Sequence, residues 1–485
     1  MIRKLFCSKF CLLFLAVLAG LGFLAYKSFK TFSVEKIFQS TFVQDQVKKQ
    51  VGDENRDLVQ LAPRLLGFSK PMTYLFIFEN NTELRPSGGF IGVYAIVKID
   101  KGSVNIVKLD GTENLDRYTP EDFKITPPDA LSKHLGVDRW YFRDANWSPD
   151  FSESAKQMLT LYKGENGVEA NNIDAVIAVT PVVLERLLEK IGPVTVDGVE
   201  FTANNVTEKL EYEVEYEFAN KGIDKKNRKD IIGDLMSVVM SKVKTDFIFD
   251  LNGYFKMFNE MAEQRHIMVY SLEPDLEKII KEKGWSGEVK NVAGDYLLWV
   301  DANLAALKTD HSINRELKYS IKKDETGRLV ATAEMVYNHT GGFDWRTTRY
   351  RTYARIFVPV GSELISADGA MKWDRTKETG EVEKGEELGK QWFGAFIAIE
   401  PGQTKSLKFT YYPPESVIKD NVYTLFVQKQ LGTLNNKLTL EQNFGKNIVS
   451  AKPSEAEGEW GDQVYEYVGD LKVDREFNIQ ITDSR

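Results

Sequence analysis

The hydrophobic pattern of this 485-residue chain changes near residue 317, and the change restricts the chain to two unlike folding units. Before that point, runs typical of buried strands alternate with runs typical of amphipathic helices, as in an α/β domain. After it, short strand-like runs follow one another between turn residues, as in a β-sandwich. The sequence therefore predicts a three-layer α/β domain at residues 71–305 and an antiparallel β-sandwich at residues 306–485, with the boundary somewhere in 300–316.

The α/β domain is predicted to begin with a buried strand at Tyr74–Phe78, because this run is apolar throughout. Phe90–Ile99 and Ser103–Leu109 alternate in polarity and are joined by Asp100-Lys101-Gly102, which is typical of a hairpin. A second continuous apolar run, Asp174–Val179, predicts another buried strand. Apolar residues at helical spacing predict helices at Val182–Ile191, Arg228–Lys244, Asn252–Glu263 and Pro274–Glu282.

The sandwich is predicted from seven short strand-like runs that turn residues separate. Between the third and fourth runs, Met371–Gln391 is dense in charge and glycine, which predicts either a solvated hairpin excursion or a mobile loop; the mobile loop is preferred. The seven runs are Leu317–Ile321, Leu329–Asn338, Tyr350–Val358, Phe393–Ile399, Ser406–Tyr412, Tyr423–Lys429 and Lys437–Gln442.

An uncharged apolar segment, Phe10–Tyr26, lies near the N-terminus and follows a basic flank. As a helix its seventeen residues reach about 26 Å, close to the thickness of a bilayer core. A cleaved signal peptide, a buried core helix and an uncleaved signal-anchor are the three alternatives. The signal-anchor is favoured because Leu24-Ala25-Tyr26 lacks the small-x-small pattern that cleavage needs.

This segment predicts how the protein sits in the cell. We expect residues 1–30 to form a short cytoplasmic tail and a transmembrane anchor, with residues 10–26 in contact with the lipid bilayer. Residues 31–70 are predicted to be a membrane-proximal helical stalk. The bulk of the chain would then be extracytoplasmic, on a single-pass cell-membrane protein.

Composition and missing motifs exclude several functions. The chain has 63 Lys and Arg against 71 Asp and Glu, a net charge of −8 with no basic stripe, so no nucleic-acid partner is expected. Cys7 and Cys11 are the only cysteines, so the body of the chain has no disulfide, thiolate metal site or cysteine nucleophile. Motifs for a phosphate-binding loop, a dinucleotide fold, a zinc protease and a serine hydrolase are absent from the sequence.

The first informative motif is Glu79–Phe90, which joins two predicted strands. Polar residues after a strand are where open α/β sheets place ligands. Glycine allows backbone amides to approach an anion, and an arginine guanidinium matches phosphate geometry. The alternative is a hydrogen-bonded turn in which the arginine pairs with Glu83 or Glu79. The candidate ligand-binding residues here are Asn81, Glu83, Gly88 and Gly89, with Arg85 as a candidate catalytic residue.

A second polar motif, Arg143–Phe151, precedes a predicted helix. Asp150 is either the cap of that helix or a metal-binding or general-base carboxylate. Trp147 is either an anchor between loop and core or a sugar platform. We take Arg143 and Trp147 as candidate ligand-binding residues and Asp150 as a candidate catalytic residue.

A third motif, Lys225–Asp230, places basic residues at the start of a predicted helix. Cations there oppose the helix dipole unless an anion binds beside them. The alternative is a solvated charged turn. Arg228 is the candidate catalytic residue of this motif.

Three segments together resemble domain-of-unknown-function family 4012, a bacterial family of membrane-anchored proteins. They are E-N-N-T-E-L-R-P-S-G-G-F-I-G, A-N-W-S-P-D-F and V-Q-K-Q-L-G-T (Val427–Thr433). The resemblance covers roughly residues 55–445. It implies one membrane span followed by an extracytoplasmic region, and it implies no particular activity.

Fewer residues resemble the LytR–CpsA–Psr phosphotransferases, which move glycopolymers from polyprenyl-pyrophosphate carriers. Ile173–Val179 and Leu187–Val194 are similar to their strand–helix–strand unit, and Arg228 to the arginine of their basic helix. Two positions depart from the pattern: Pro86-Ser87 stands where an aspartate helps hold Mg²⁺, and Glu213–Glu217 stands where those enzymes have arginines. Carboxylates at that position reverse the sign of the electrostatic field that would attract a pyrophosphate.

Three hypotheses follow. In the first, a phosphotransferase uses Arg85 and Arg228 to clamp a polyprenyl-pyrophosphate lipid, while Asp150 helps hold Mg²⁺ or activates an acceptor hydroxyl. In the second, a non-catalytic protein binds an envelope glycan or a partner. In the third, the motifs stabilise the fold and the sandwich mediates assembly. Because of the Glu213–Glu217 departure, we favour the two non-catalytic hypotheses.

Overall fold

A computed structural model describes residues 63–247, 250–455 and 461–482. The predicted anchor Phe10–Tyr26 and nearly all of the predicted stalk lie outside these ranges. Within them, no helix combines the length and the apolar character needed to cross a bilayer.

A five-stranded sheet forms the centre of the first domain, in the order β3-β2-β1-β4-β7. Strand β1 pairs in parallel with β4, and the other three pairings are antiparallel. A separate hairpin, β5–β6, lies beside the sheet. The strands are β1 Met72–Asn80, β2 Phe90–Asp100, β3 Ser103–Gly111, β4 Ala175–Val179, β5 Val194–Val196, β6 Val199–Phe201 and β7 Ile267–Ser271.

Helices cover both faces of this sheet because β1 is apolar on both sides. Tyr74 and Phe76 join one buried cluster with the α4, α7, α8 and α9 side chains, and Leu75 and Ile77 join another with α3. The helices are α1 Thr112–Asp116, α2 Asp129–Leu135, α3 Phe151–Gly164, α4 Pro181–Ile191, α5 Val206–Tyr212, α6 Phe218–Asn220, α7 Asp230–Phe247, α8 Leu251–Glu263 and α9 Pro274–Glu282.

The C-terminal half forms two sheets that pack face to face around one apolar core. One sheet has the order β12-β15-β10-β9-β18-β20; the other has the order β13-β14-β11-β8-β17-β21-β19, with β16 paired to β17. The strands are β8 Asp295–Asn303, β9 Ile313–Lys323, β10 Leu329–His339, β11 Tyr350–Val358, β12 Glu363–Asp368, β13 Glu383–Glu387, β14 Lys390–Ile399, β15 Thr404–Tyr412, β16 Ile418–Lys419, β17 Val422–Gln428, β18 Lys437–Asn443, β19 Asn447–Lys452, β20 Val464–Asp470 and β21 Arg475–Thr482.

The predicted combination of an α/β domain with a β-rich C-terminal region is confirmed, with three corrections. The sandwich is not wholly antiparallel, because β8 pairs in parallel with β17 and β9 with β18. The sandwich begins before residue 306, since β8 at Asp295–Asn303 pairs with the sandwich strands β11 and β17. The predicted loop Met371–Gln391 contains an edge strand, β13, whose residues are only half-buried.

The two domains meet at the buried guanidinium of Arg85, whose side chain is 3% exposed. Its Nε lies 3.2 Å from an Asp144 carboxylate oxygen, and its Nη2 lies 3.3 Å from Glu83 Oε1. Its Nη1 donates to the backbone carbonyl of Asn303, at the end of β8. One side chain therefore joins the loop after β1, the turn before α3 and the first strand of the sandwich.

The V-Q-K-Q-L-G-T segment completes this joint from the sandwich side. Gln430 donates from its side-chain nitrogen to the carbonyls of Arg85 and Asp301, at 3.2 and 2.7 Å. Asn81 donates from Nδ2 to the carbonyl of Gly432 at 2.8 Å. The first and third sequence motifs thus bind each other across the domain boundary.

Replacing Arg85 by Ala is expected to destabilise the chain strongly. The carboxylates of Glu83 and Asp144 would lose a buried cation, which costs about 3–5 kcal/mol when one partner of a buried pair is removed. Urea denaturation of the full-length protein in detergent, followed by tryptophan fluorescence, measures the loss. Arg85→Lys keeps the charge but not the planar fork and should recover only part of it. A loss under about 1 kcal/mol, the range of an exposed pair, would contradict the buried joint.

A buried carboxyl in the sandwich core generates a second prediction. Asp295 is fully buried and accepts hydrogen bonds from the hydroxyls of Tyr319 and Tyr423, at 2.5 and 2.6 Å. Burial raises the pKa of this carboxyl from 3.8 to about 6, against the lowering effect of the two tyrosines. The folded chain therefore holds this proton more tightly than the unfolded chain does between pH 4 and 6.

We expect Asp295→Asn to remove one pH-dependent contribution to stability between about pH 4 and 6. In the wild type, this group's contribution to the free energy of unfolding falls by roughly 3 kcal/mol as pH rises from about 4 to above 6. The variant lacks that fall, so its stability relative to wild type should rise over the same interval. Urea midpoints at a series of pH values measure the difference. A difference that stays constant from pH 4 to 7 would show that Asp295 titrates normally.

Candidate functional site: a cavity at the edge of the α/β sheet

A cavity of about 400 Å³ lies where β1 and β4 end and α4 begins. Helices α5 and α7 form its other walls, and Lys308, from the sandwich, reaches its rim. Ligand sites in open α/β sheets commonly occupy this edge. Its apolar wall includes Phe78, Val179, Val183, Leu210, Ile232 and Met236.

Six cations line the same cavity. They are Arg117, Arg143, Lys225, Arg228, Lys229 and Lys308. Arg117 and Lys225 are exposed, and within the described ranges neither has a carboxylate within 4 Å. Five glutamates also line the cavity: Glu79, Glu83, Glu113, Glu211 and Glu215. The cavity therefore combines an apolar interior with charged groups of both signs, in which cations outnumber carboxylates by one.

Carboxylates already pair with the deeper cations. Arg228 lies 2.9 Å from Glu113 and also contacts Glu215, and Lys229 contacts Glu113. Lys308 lies 3.3 Å from Glu215. Burial raises the pKa of Glu113, but Lys229 and Arg228 outweigh it and hold that pKa below its usual value. Glu113 is therefore ionised at neutral pH, and in this part of the rim three cations face two carboxylates.

The Glu213–Glu217 run, which departs from the phosphotransferase pattern, forms a π-helical turn directly after α5. Such turns are frequent at functional sites. Glu213 pairs with Lys221 at 2.6 Å, and Glu215 faces Arg228 and Lys308. These carboxylates are matched by cations, so they do not leave the rim with a net negative field.

Three of the residues predicted from sequence do line the cavity. Glu83 and Arg143 lie in its wall with Arg228. Arg143 also contacts the buried carboxylate of Asp116. Of the three predicted catalytic residues, only Arg228 faces this space.

Arg85 and Asp150, the other predicted catalytic residues, lie elsewhere. Arg85 is enclosed in the domain joint. Asp150 caps α3: one carboxylate oxygen accepts from the Glu153 amide at 3.1 Å and the other from the Val289 amide at 2.9 Å. Backbone N–H groups occupy both carboxylate oxygens, so of the two alternatives for Asp150 the structure shows the helix cap.

The predicted glycines and Trp147 also have packing roles. A Cβ at Gly88, where φ is +147°, would lie 1.9 Å from Glu79 Oε2, and one at Gly89 would lie 2.3 Å from the Asn80 backbone. Trp147 stacks on Tyr353 of the sandwich, with ring centroids 6.1 Å apart. With Asn81, these residues hold the joint and do not line the cavity.

Sequence reasoning missed Glu113, Lys229, Lys308 and the apolar wall. Lys229 stands beside Arg228 in a basic motif and could have been included. Glu113 and Lys308 come from distant parts of the chain and carry no local signal. Among the described residues, no group of three or more His, Cys, Asp or Glu side chains lies close enough together to hold a metal ion.

Solved structures with similar regions are distant. A protein of Legionella pneumophila described as a candidate nutrient binding protein is 7% identical, over 39% of this chain and 72% of its own, with a TM-score of 0.24. The M1 zinc metallopeptidase of Deinococcus radiodurans is 8% identical, over 37% of this chain and 43% of its own, with a TM-score of 0.18. Likeness at these scores supports no functional argument.

Sequence comparison assigns part of the chain to a family. Comparison with curated proteins gives no match. Residues 69–214 match the profile of a family described as "Protein of unknown function (DUF4012)". This range contains the first two motifs, part of the cavity wall and the Glu83 side of the joint. Residues 69–214 are therefore similar to the DUF4012 family, which confirms the resemblance for the first two motifs; the third motif, Val427–Thr433, lies outside the matched range.

Proposed function

We propose that this protein is a membrane-anchored, extracytoplasmic binding protein whose α/β domain holds an amphipathic molecule with an apolar chain and an anionic head. One observation supports the proposal: the same cavity has an apolar wall and a charged lining in which six cations stand against five glutamates, with Arg117 and Lys225 left without a carboxylate partner in the described structure. A polyprenyl-phosphate lipid has this chemistry. The predicted location in the cell envelope would place such lipids within reach.

The size of the cavity indicates what part of the ligand it holds. At about 400 Å³ it lies in the lower part of the range of small-molecule sites, which is about 300–1,000 Å³. A short isoprenoid or acyl segment fits that space, while a longer chain would extend beyond it. Binding energy on the apolar side comes from the buried surface, at roughly 25 cal/mol per Å².

The anionic end is assigned from the charge pairs at the rim. Arg117 and Lys225 have no carboxylate partner in the described structure and can receive a phosphate without displacing one. Arg228 can receive it only by giving up part of its contact with Glu215. Binding there is therefore an exchange of one anion for another, and Glu215 competes with the ligand.

A second candidate function, transfer of a phosphorylated glycopolymer, rests on one observation. Arg228 stands just before α7 and lines the cavity, where the resemblance to LytR–CpsA–Psr proteins implies an anion-binding arginine. The buried positions of Arg85 and Asp150 supply no partner for it in such a reaction. The geometry therefore favours binding as the proposal to test first.

Calorimetric titration can separate the two ends of the ligand. The full-length protein in phosphatidylcholine nanodiscs is titrated with farnesyl phosphate, with farnesol, which lacks the anion, and with inorganic phosphate, which lacks the chain. Saturable binding of farnesyl phosphate beyond that of empty nanodiscs, and tighter than either part, is expected. Equal behaviour of all three probes would overturn the proposal.

A wall substitution tests the position of the apolar chain. Ile232→Trp places an indole in the cavity and should weaken farnesyl phosphate binding by more than about tenfold, since overfilling a packed space costs about 1–3 kcal/mol. Ser241→Trp, at an exposed position on the same helix, is the matched control and should bind as the wild type does. If both variants bind normally, the chain lies outside this cavity.

Opposite effects are expected from the two sides of one ion pair. Arg228→Gln removes a charged donor and should weaken binding roughly tenfold or more, because hydrogen bonds to charged groups contribute about 1.5–3 kcal/mol. Glu215→Gln removes the competing carboxylate and should tighten binding several-fold. The same titration measures both. Weakening by Glu215→Gln would show that this carboxylate holds the site together rather than competes for it.

A further inference from the structure

Two chain segments meet at the open side of the cavity. One comprises α1 and the residues up to Tyr118; the other is Phe218–Lys229, from α6 to the residue before α7. Asn114 on the first donates from Nδ2 to the carbonyl of Lys226 on the second at 3.1 Å. Arg117 and Lys225, one from each segment, line the cavity. These two segments are termed the mouth patch.

The mouth patch is locally basic in an acidic protein. Residues 112–118 and 218–229 together contain six Lys or Arg and three Asp or Glu, a net charge of +3, whereas the whole chain has a net charge of −8. The side chain of Lys226 is 65% exposed, and its nearest carboxylate, on Asp224, lies 3.9 Å away. Lys225 is exposed as well. The patch therefore presents a positive surface to any anionic partner.

The patch also exposes apolar side chains beside these cations. Tyr118 is 75% exposed, the highest value for any large apolar side chain in the described ranges, and Ile223 is 39% exposed. Tyrosine is enriched at membrane–water interfaces because its ring is apolar and its hydroxyl is wet. Exposed apolar residues among lysines are the composition of a surface that binds anionic bilayers.

We propose that the mouth patch docks on the surface of an anionic bilayer, so that the cavity opens toward the lipid. The charge of the patch, the exposed Tyr118 and Ile223, and the position of Arg117 and Lys225 in the cavity lining support this occupant. Entry of a lipid from the bilayer rests on the proposed function; the docking contact does not. A ligand with a long apolar chain would then reach the cavity without crossing water.

The connection to the predicted anchor is long enough for this orientation. The described chain enters at the opposite end of the sheet, where Leu66 and Gly67 accept hydrogen bonds from Gly102 and Lys101 in the β2–β3 turn. Strand β1 has nine residues, and at roughly 3.3 Å per residue it spans about 30 Å. Between Tyr26 and Pro63 lie 36 residues, which reach about 54 Å even as a helix. The mouth patch can therefore face the bilayer that holds the anchor.

Quenching by lipid measures the contact directly. The full-length protein with Cys7→Ser and Cys11→Ser carries one new cysteine, Ile223→Cys, labelled with a fluorophore and reconstituted in vesicles with brominated acyl chains. Quenching is expected in vesicles of phosphatidylcholine with phosphatidylglycerol, and it should decrease at high salt. Val468→Cys, at a 67% exposed position on the sandwich, is the matched control and should remain unquenched. Equal quenching at the two positions would overturn the proposal.

Two substitutions outside the cavity wall separate docking from ligand binding. Lys226→Glu changes the local charge by two and, at about 1 kcal/mol per charge, should lower the ratio of docked to undocked protein roughly 30-fold. Tyr118→Ser should lower it as well. Both variants should keep the farnesyl phosphate affinity of the wild type. Quenching that persists in both variants would contradict docking. Docking without binding of farnesyl phosphate would contradict only the proposed function.

Discussion

The buried Arg85 guanidinium is the interaction on which the arrangement of this protein depends. It is enclosed between carboxylates of the α/β domain and a carbonyl at the end of the first sandwich strand. A charge at 3% exposure is stable only when partners surround it, so the loop after β1, the turn before α3 and β8 must come together in one geometry. The cavity lies at the end of β1, the strand that leads into this joint. The joint therefore also fixes the position of the cavity wall that β1 supplies.

This joint explains why much of the three motifs lies outside the cavity, although Glu83 of the first motif and Arg143 of the second line it. The first motif supplies Arg85 and the close-packed glycines, the second supplies Asn146, and the third supplies Gln430. Asn146 donates from Nδ2 to Glu79 at 3.0 Å and to the carbonyl of Gly89 at 2.7 Å. A dense group of Asn, Gln, Gly and Arg is what a buried polar interface between domains requires, because each polar atom there needs a partner.

Much of the fold could be predicted from the sequence, because its strands and helices have clear local periods. The hairpin of β2 and β3 and the helices α4, α8 and α9 follow the predicted runs closely. Strand β8 is absent from the predicted strands, because the burial of all nine residues removes the alternation that marks a sandwich strand. Arg228 was found in the predicted basic motif. The cavity was not predictable, since its walls are ordinary core residues and its ion pairs join Glu113 and Glu215 to cations far away in sequence.

Lys308 connects the cavity to the sandwich domain. It belongs to the sandwich, between β8 and β9, yet it lies on the rim of a cavity in the other domain and pairs with Glu215 there. Any ligand whose affinity depends on Lys308 is thermodynamically linked to the spacing of the two domains. By the same linkage, a ligand that binds Lys308 favours the arrangement in which the sandwich contacts the α/β domain, and a change that moves Lys308 away from the cavity lowers the affinity for that ligand.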